Sequence, residues 1–221
     1  ASSKRLSQYM HHTIAERKQP IWLAQREGRA KDSNDRTQEG LIKMLSMYSR
    51  EDIIDALKVL NIAPTTISYE YDPCDYLKAK EFQQKRDNPE WKKAPQDDLI
   101  NMKTGMFGYK GGIHYHIADC INDEIDAIDR SLGKNEKTAA VARIIDRHIH
   151  RNYKFWPINY YYYELLTGDT RFADKYTAED KAKLDMYLQG QIEKVDLPNR
   201  DDAFCRTKIL EMYANPVINY I

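Results

Sequence analysis

No apolar run in this chain approaches the roughly 18 residues of a bilayer-spanning helix, and no signal peptide is visible, so any membrane contact is expected to be peripheral. Cysteine is scarce. Cys74, Cys120 and Cys205 lie far apart, form no CxxC pair and are odd in number. A disulfide framework or a structural zinc site is therefore not expected, and a reducing compartment fits. Charge of one sign is missing too: Lys+Arg and Asp+Glu both total 34, so the net charge is zero and nothing pulls the chain generally toward nucleic acid. Internal repeats and low-complexity tracts are absent.

What remains is a chain of 221 residues, 42% hydrophobic and 31% charged, enough for a core under a polar surface. Sixteen tyrosines are many for this length. In "NYYYYELL" at 159–166 the periodicity suits a helix whose tyrosines cover a core edge with their hydroxyls toward water.

Hydrophobic spacing predicts the elements. Leu6, Met10 and Ile14 line one face of a helix over 4–17. "IWLA" at 21–24 has the length and flanks of a buried strand. A helix follows at 40–49, and Ser49 with Asp52 looks like the start of another. Strands are predicted after Pro64, with Ile67, Tyr69 and Tyr71 alternating with polar residues, and at 109–119, where Ile113, Tyr115 and Ile117 alternate with His114 and His116. Asp72 and Pro73 suit the start of a helix between them, and another is expected near 96–106. From residue 120 onward the pattern is helical, at about 120–131, 134–152, 157–166, 177–190 and 200–214. The expected fold is α/β: a partial parallel-type sheet flanked by helices, then a helical C-terminal half. The domains expected are 1–125, α/β, and 126–221, helical and packed on it.

"QREGRAKDSNDRTQEGLIKM", Gln25 to Met44, is dense in charges of both signs. If "IWLA" is a strand, this loop stands at its carboxyl end, where open α/β sheets gather ligands. Arginines there suit a phosphate, which a guanidinium grips with two hydrogen bonds. Gly28 would let backbone approach a ligand. The alternative is a solvated surface loop whose scattered ion pairs contribute little.

The order "WLAQREGRAKDSNDRTQEGLIKM", then the proline-led "NIAPTTISYEYDPCD", then "GGIHYHIADCI", resembles motif blocks of the glycerolipid acyltransferases, in a divergent bacterial branch. The resemblance covers roughly residues 1–125. It implies transfer of a fatty-acyl group from a thioester of coenzyme A or acyl carrier protein to a glycerol-phosphate hydroxyl. Carried over by position, Glu27, Gly28 and Arg29 would lie in the acceptor-phosphate site, Lys31 and Arg36 would assist the anion, and Pro64 would shape the acyl or thioester side. No cofactor, metal or nucleic acid is implied, and a cytoplasmic location, with peripheral contact on the inner membrane face, fits such a substrate.

Two departures stand out. Arg29 follows Gly28 directly where the family has Glu-Gly-Thr-Arg. The family's catalytic pair, a His, four residues, then an Asp, precedes the Glu-Gly block; here His11 and His12 meet Glu16 and Arg17 at the matching positions. His114 and Asp119 have the spacing but come after these blocks. The resemblance therefore implies no catalytic residue in this chain and suggests the C-terminal portion of a longer enzyme, with a non-catalytic interaction or scaffold module as the alternative. The basic, aromatic stretch 143–166 is expected to be a helix with a polar face, and Cys205 a buried thiol.

Overall fold

The structure, a computed structural model, describes residues 2–26, 30–49 and 51–221. It overturns the parallel sheet. Of the described residues 58% are helical, and the sheet they form is a single two-stranded antiparallel ribbon. In chain order the elements are α1 (Ser2–His11, continued by a π-helical turn His12–Glu16), α2 (Glu39–Leu45), α3 (Ile53–Lys58), β1 (Thr65–Tyr69), α4 (Asp75–Asp87), α5 (Pro95–Phe107), β2 (Ile113–Ile117), α6 (Asn122–Asp126), α7 (Lys134–Arg151), α8 (Pro157–Thr167), a 3-10 turn Ala173–Lys175, α9 (Ala178–Glu193) and α10 (Asp202–Tyr220). Among the described residues no helix is long and apolar enough to cross a membrane.

Two physical reasons defeat the α/β expectation. Parallel strands are usually joined by one crossover helix, but two helices, α4 and α5, separate β1 from β2, and the chain returns antiparallel. Glu70 N–H donates to Gly112 O at 2.8 Å and Ala118 N–H to Pro64 O at 2.9 Å, fixing the register at both ends. "IWLA" is not a strand, because a strand needs a ladder partner and the sheet holds only β1 and β2. Trp22 is 70% exposed. The ribbon also turns its polar alternation inward. Thr66 and Ser68 are buried, whereas Tyr69, Ile113, Tyr115 and Ile117 are exposed. The buried hydroxyls are matched: Thr66 Oγ1 donates to Ile149 O at 3.1 Å, and Ser68 Oγ accepts from Lys154 N–H at 3.1 Å.

The chain divides into two interleaved units, and β1 and β2 each pass from one to the other. The first comprises Ala1–Arg29, Asp35–Thr66 and Tyr115–Asn152. Its helices α1, α2, α3, α6 and α7 bury Ile42, Ile54, Leu57, Ile121, Ile125 and Val141. Ser7 Oγ and His11 Nε2 both donate to the Leu45 carbonyl, which ties α1 to the end of α2. Asp52, not Ser49, caps α3: its Oδ1 accepts from Ile54 N–H at 2.9 Å, and its Oδ2 accepts from the buried Lys137 at 2.7 Å. Asp52→Ala removes a helix cap and strands a buried ammonium together. It is expected to lower the unfolding free energy by about 2–4 kcal/mol in urea titrations; a loss within the scatter of surface mutations would contradict this account.

The second unit comprises Ala30–Asn34, Ile67–His114 and Tyr153–Ile221. Its core gathers α4, α8, α9 and α10 around Tyr162, Tyr213, Ile158, Ile209, Leu188 and Ile192. The tyrosines of α8 lie deeper than a core edge. Tyr161, Tyr162 and Tyr163 are buried, and their hydroxyls bond Asp185, the Leu184 carbonyl and Asp169. Cys74 and Cys205 are buried and Cys120 is exposed, all as free thiols.

Candidate anion-binding site

Of the residues expected to form the substrate site, Glu27, Gly28 and Arg29 lie outside the described residues. Lys31 falls in the second unit, Arg36 and Pro64 in the first. Pro64 is buried, and its carbonyl closes the end of the β-ribbon. Arg36 is exposed. Pro64, expected to shape the acyl or thioester side, thus stands at the end of the ribbon.

The described residues of the stretch are anchored at several points, unlike those of a solvated turn. On the first unit, Gln38 N–H closes onto Gln25 O at 3.0 Å. Thr37 N–H donates to Asp146 Oδ1 of α7 at 2.7 Å, and the buried His150 donates from Nε2 to Asp35 O at 2.9 Å. Arg26 Nε is buried and has no hydrogen-bond partner among the described residues. On the second unit, Asn215 Nδ2 of α10 donates to Asp32 O at 2.7 Å, and Lys31 donates to Glu81 Oε1.

Glu81 is nearly buried on α4, and Lys85, one turn later, donates to the same Oε1 at 3.0 Å. Two ammonium groups therefore share one carboxylate oxygen. Lys93 adds a third positive charge nearby, itself paired with Asp98 at 2.6 Å. Burial, then repulsion by Lys85 and Lys93, pushes the Lys31 ammonium down to about 8. With Glu81 divided between two cations, the cluster of Lys31, Lys85 and Lys93 against Glu81 and Asp98 carries one excess positive charge. A bound anion would relieve that repulsion. Glu81, Lys85 and Lys93 were not singled out from sequence; the Glu81–Lys85 spacing of one helical turn was the available signal.

A second polar feature lies wholly within the first unit. Glu124, Arg147, His148, Arg151 and Asn152 line an open cleft of about 180 Å³. Glu124 Oε1 pairs with His148 Nε2 and Oε2 with Arg147. The hydrogen bond from His148 is the main reason the Glu124 carboxyl sits below its usual range. Arg151, in the last turn of α7, complements the negative end of the helix dipole. His148 and His150 diverge, as their spacing requires: one meets Glu124 and the other Asp35 O.

The two histidines of the first helical segment have local partners. His11 is buried on the Leu45 carbonyl, and His12 Nδ1 pairs with the exposed Glu16 at 2.8 Å. Among the described residues no group of three or more His, Cys, Asp or Glu side chains is placed to hold a metal ion.

No family model, curated protein or solved structure matches the chain.

Proposed function

We propose that this chain holds the phosphate of a glycerol-phosphate-type acceptor for acyl transfer from a thioester, with Lys31 as the described anchor. The observation that carries the reading is the sharing of one Glu81 oxygen by Lys31 and Lys85, which leaves the charged stretch short of negative charge at Lys31. The glycerolipid acyltransferase resemblance of "REGRAKDSNDRTQ" supplies the substrate class. Because the sheet is not the one that resemblance implies, the proposal rests on the loop and its anchors alone. The role assigned here is acceptor binding; the base that takes the hydroxyl proton is not assigned to any residue of this chain.

Calorimetric titration with sn-glycerol 3-phosphate tests it, with glycerol as the control lacking phosphate. Binding is expected for the first and not the second. Lys31→Ala should weaken it roughly 10- to 100-fold, the usual range for one charge-assisted hydrogen bond. Affinity should fall as pH rises through about 8, where Lys31 loses its proton, and Lys31→Arg should flatten that fall. Equal affinity in wild type and Lys31→Ala, or no binding by either, would remove the acceptor role and leave the scaffold alternative.

A further inference from the structure

α5 is put together inside out. Its residues Leu99, Met102 and Met106 form one row at i, i+3 and i+7, and Ile100, Lys103 and Phe107 form the adjacent row. Every one of these side chains is exposed, up to 79% for Phe107, and Tyr109 follows just past the helix end at 77%. No residue of α5 is buried. The face turned to the protein is small and polar instead: Asn101, Thr104, Gly105 and, at the cap, Gly108. Asn101 O accepts from Cys74 Sγ at 3.4 Å. A Cβ on Gly105 would stand 3.6 Å from Cys74 Sγ, and one on Gly108 only 2.3 Å from Pro73 Cβ. Glycines let the helix lie close to the start of α4, and this seating turns its apolar rows outward.

We infer that the outward face of α5 docks on an anionic phospholipid surface. An apolar face of this size calls for a cover, and its charges select lipid over protein. Lys103 sits in the middle of the apolar rows and has no ion pair among the described residues. Lysine is depleted from protein–protein interfaces, whereas at a bilayer its stem lies along the acyl boundary and its ammonium reaches the phosphates. Neither row contains a carboxylate. The two acids of the first turn are engaged elsewhere, Asp97 on the Ala94 N–H at 3.0 Å and Asp98 on Lys93. Lys110 donates to the Met106 and Gly108 carbonyls and offsets the helix end that would repel phosphate. Tyr109 adds an aromatic with a polar tip at one end of the face, as interfacial segments commonly have. The thirteen residues suit a helix lying in the interface, not one spanning it. This inference is independent of the phosphate-acceptor reading.

Vesicle flotation tests it, using the full chain and phosphatidylcholine vesicles with or without phosphatidylglycerol. The wild type is expected to float with the phosphatidylglycerol-containing vesicles and much less with phosphatidylcholine alone. The double change Met106→Glu and Phe107→Glu should cut that partitioning more than about tenfold. Lys103→Glu should cut it about tenfold on anionic vesicles only. All three side chains are exposed, so unchanged circular dichroism is expected and certifies the fold. A wild type that stays with the pellet, or a double variant that floats as well as wild type, overturns the inference. So does a self-association of the wild type, seen by light scattering without vesicles, that the double change abolishes: a second copy would then be the cover.

Discussion

Tyr162→Ala is expected to lower stability by about 3–5 kcal/mol, the range for emptying a large aromatic site that cannot collapse. Tyr162 is completely buried, with its ring edge-on to Tyr213 at 5.4 Å between centroids. Its hydroxyl donates to Leu184 O of α9 at 2.9 Å, so one side chain links α8 to both α9 and α10. Tyr162→Phe keeps the ring and loses only that bond, and about 1 kcal/mol should go with it. The pair separates packing from hydrogen bonding: urea unfolding should show the alanine variant several times more damaged than the phenylalanine one. Equal losses would mean that the hydroxyl, not the ring, holds the three helices together.

The helical half of the chain is visible in the sequence as periodicity but not as depth. Ile144, Ile145 and Ile149 mark the inner face of α7, and the helices expected at 134–152, 157–166, 177–190 and 200–214 overlap α7 to α10, whereas the one expected at 120–131 forms only over Asn122–Asp126. The depth of the α8 tyrosines is not a local signal, because their hydroxyls need partners, and those partners, Asp185 and Leu184 O, lie on an element later in the chain. β1 and β2 were legible as strands, since period-two alternation is a local signal. Their direction was not, because it depends on how the two intervening helices return the chain. Nor was the ribbon's inside-out polarity, since Thr66 could be buried only once a helix-end carbonyl was at hand to accept from it. "IWLA" has strand composition without a strand's partner.

The site was half legible for the same reason. Lys31 and Arg36 stand out in a charge-dense stretch that any reading would stop at. Glu81 comes 50 residues after Lys31 and looks like an ordinary helix-surface glutamate. Only packing reveals that it is nearly buried and shared by two lysines, which turns a salt-laced turn into a place short of negative charge.

The second large effect is a pH dependence centred on Asp75. This carboxyl, at the start of α4, is inaccessible to solvent. Its Oδ2 accepts from Tyr187 Oη at 2.7 Å and Tyr213 Oη at 2.9 Å, and its Oδ1 from Tyr76 N–H at 2.6 Å. Those bonds favour the ionised form, yet burial outweighs them and raises the carboxyl to about 6, from a usual 3.8. The folded state therefore keeps a proton between those values that the unfolded chain has released. Stability from this group is complete below about 4 and is lost as pH rises through about 6, by about 3 kcal/mol at neutrality. Asp75→Asn cannot titrate, so subtracting its unfolding free energy from that of wild type cancels the other carboxylates. The difference should fall by about 3 kcal/mol between pH about 4 and about 7; a flat or rising difference would show that the two tyrosines, not burial, govern the carboxyl. Tyr187→Phe sharpens the test. It removes one donor to the ionised form, so the window must move to higher pH, whereas a merely structural loss would lower stability at every pH alike.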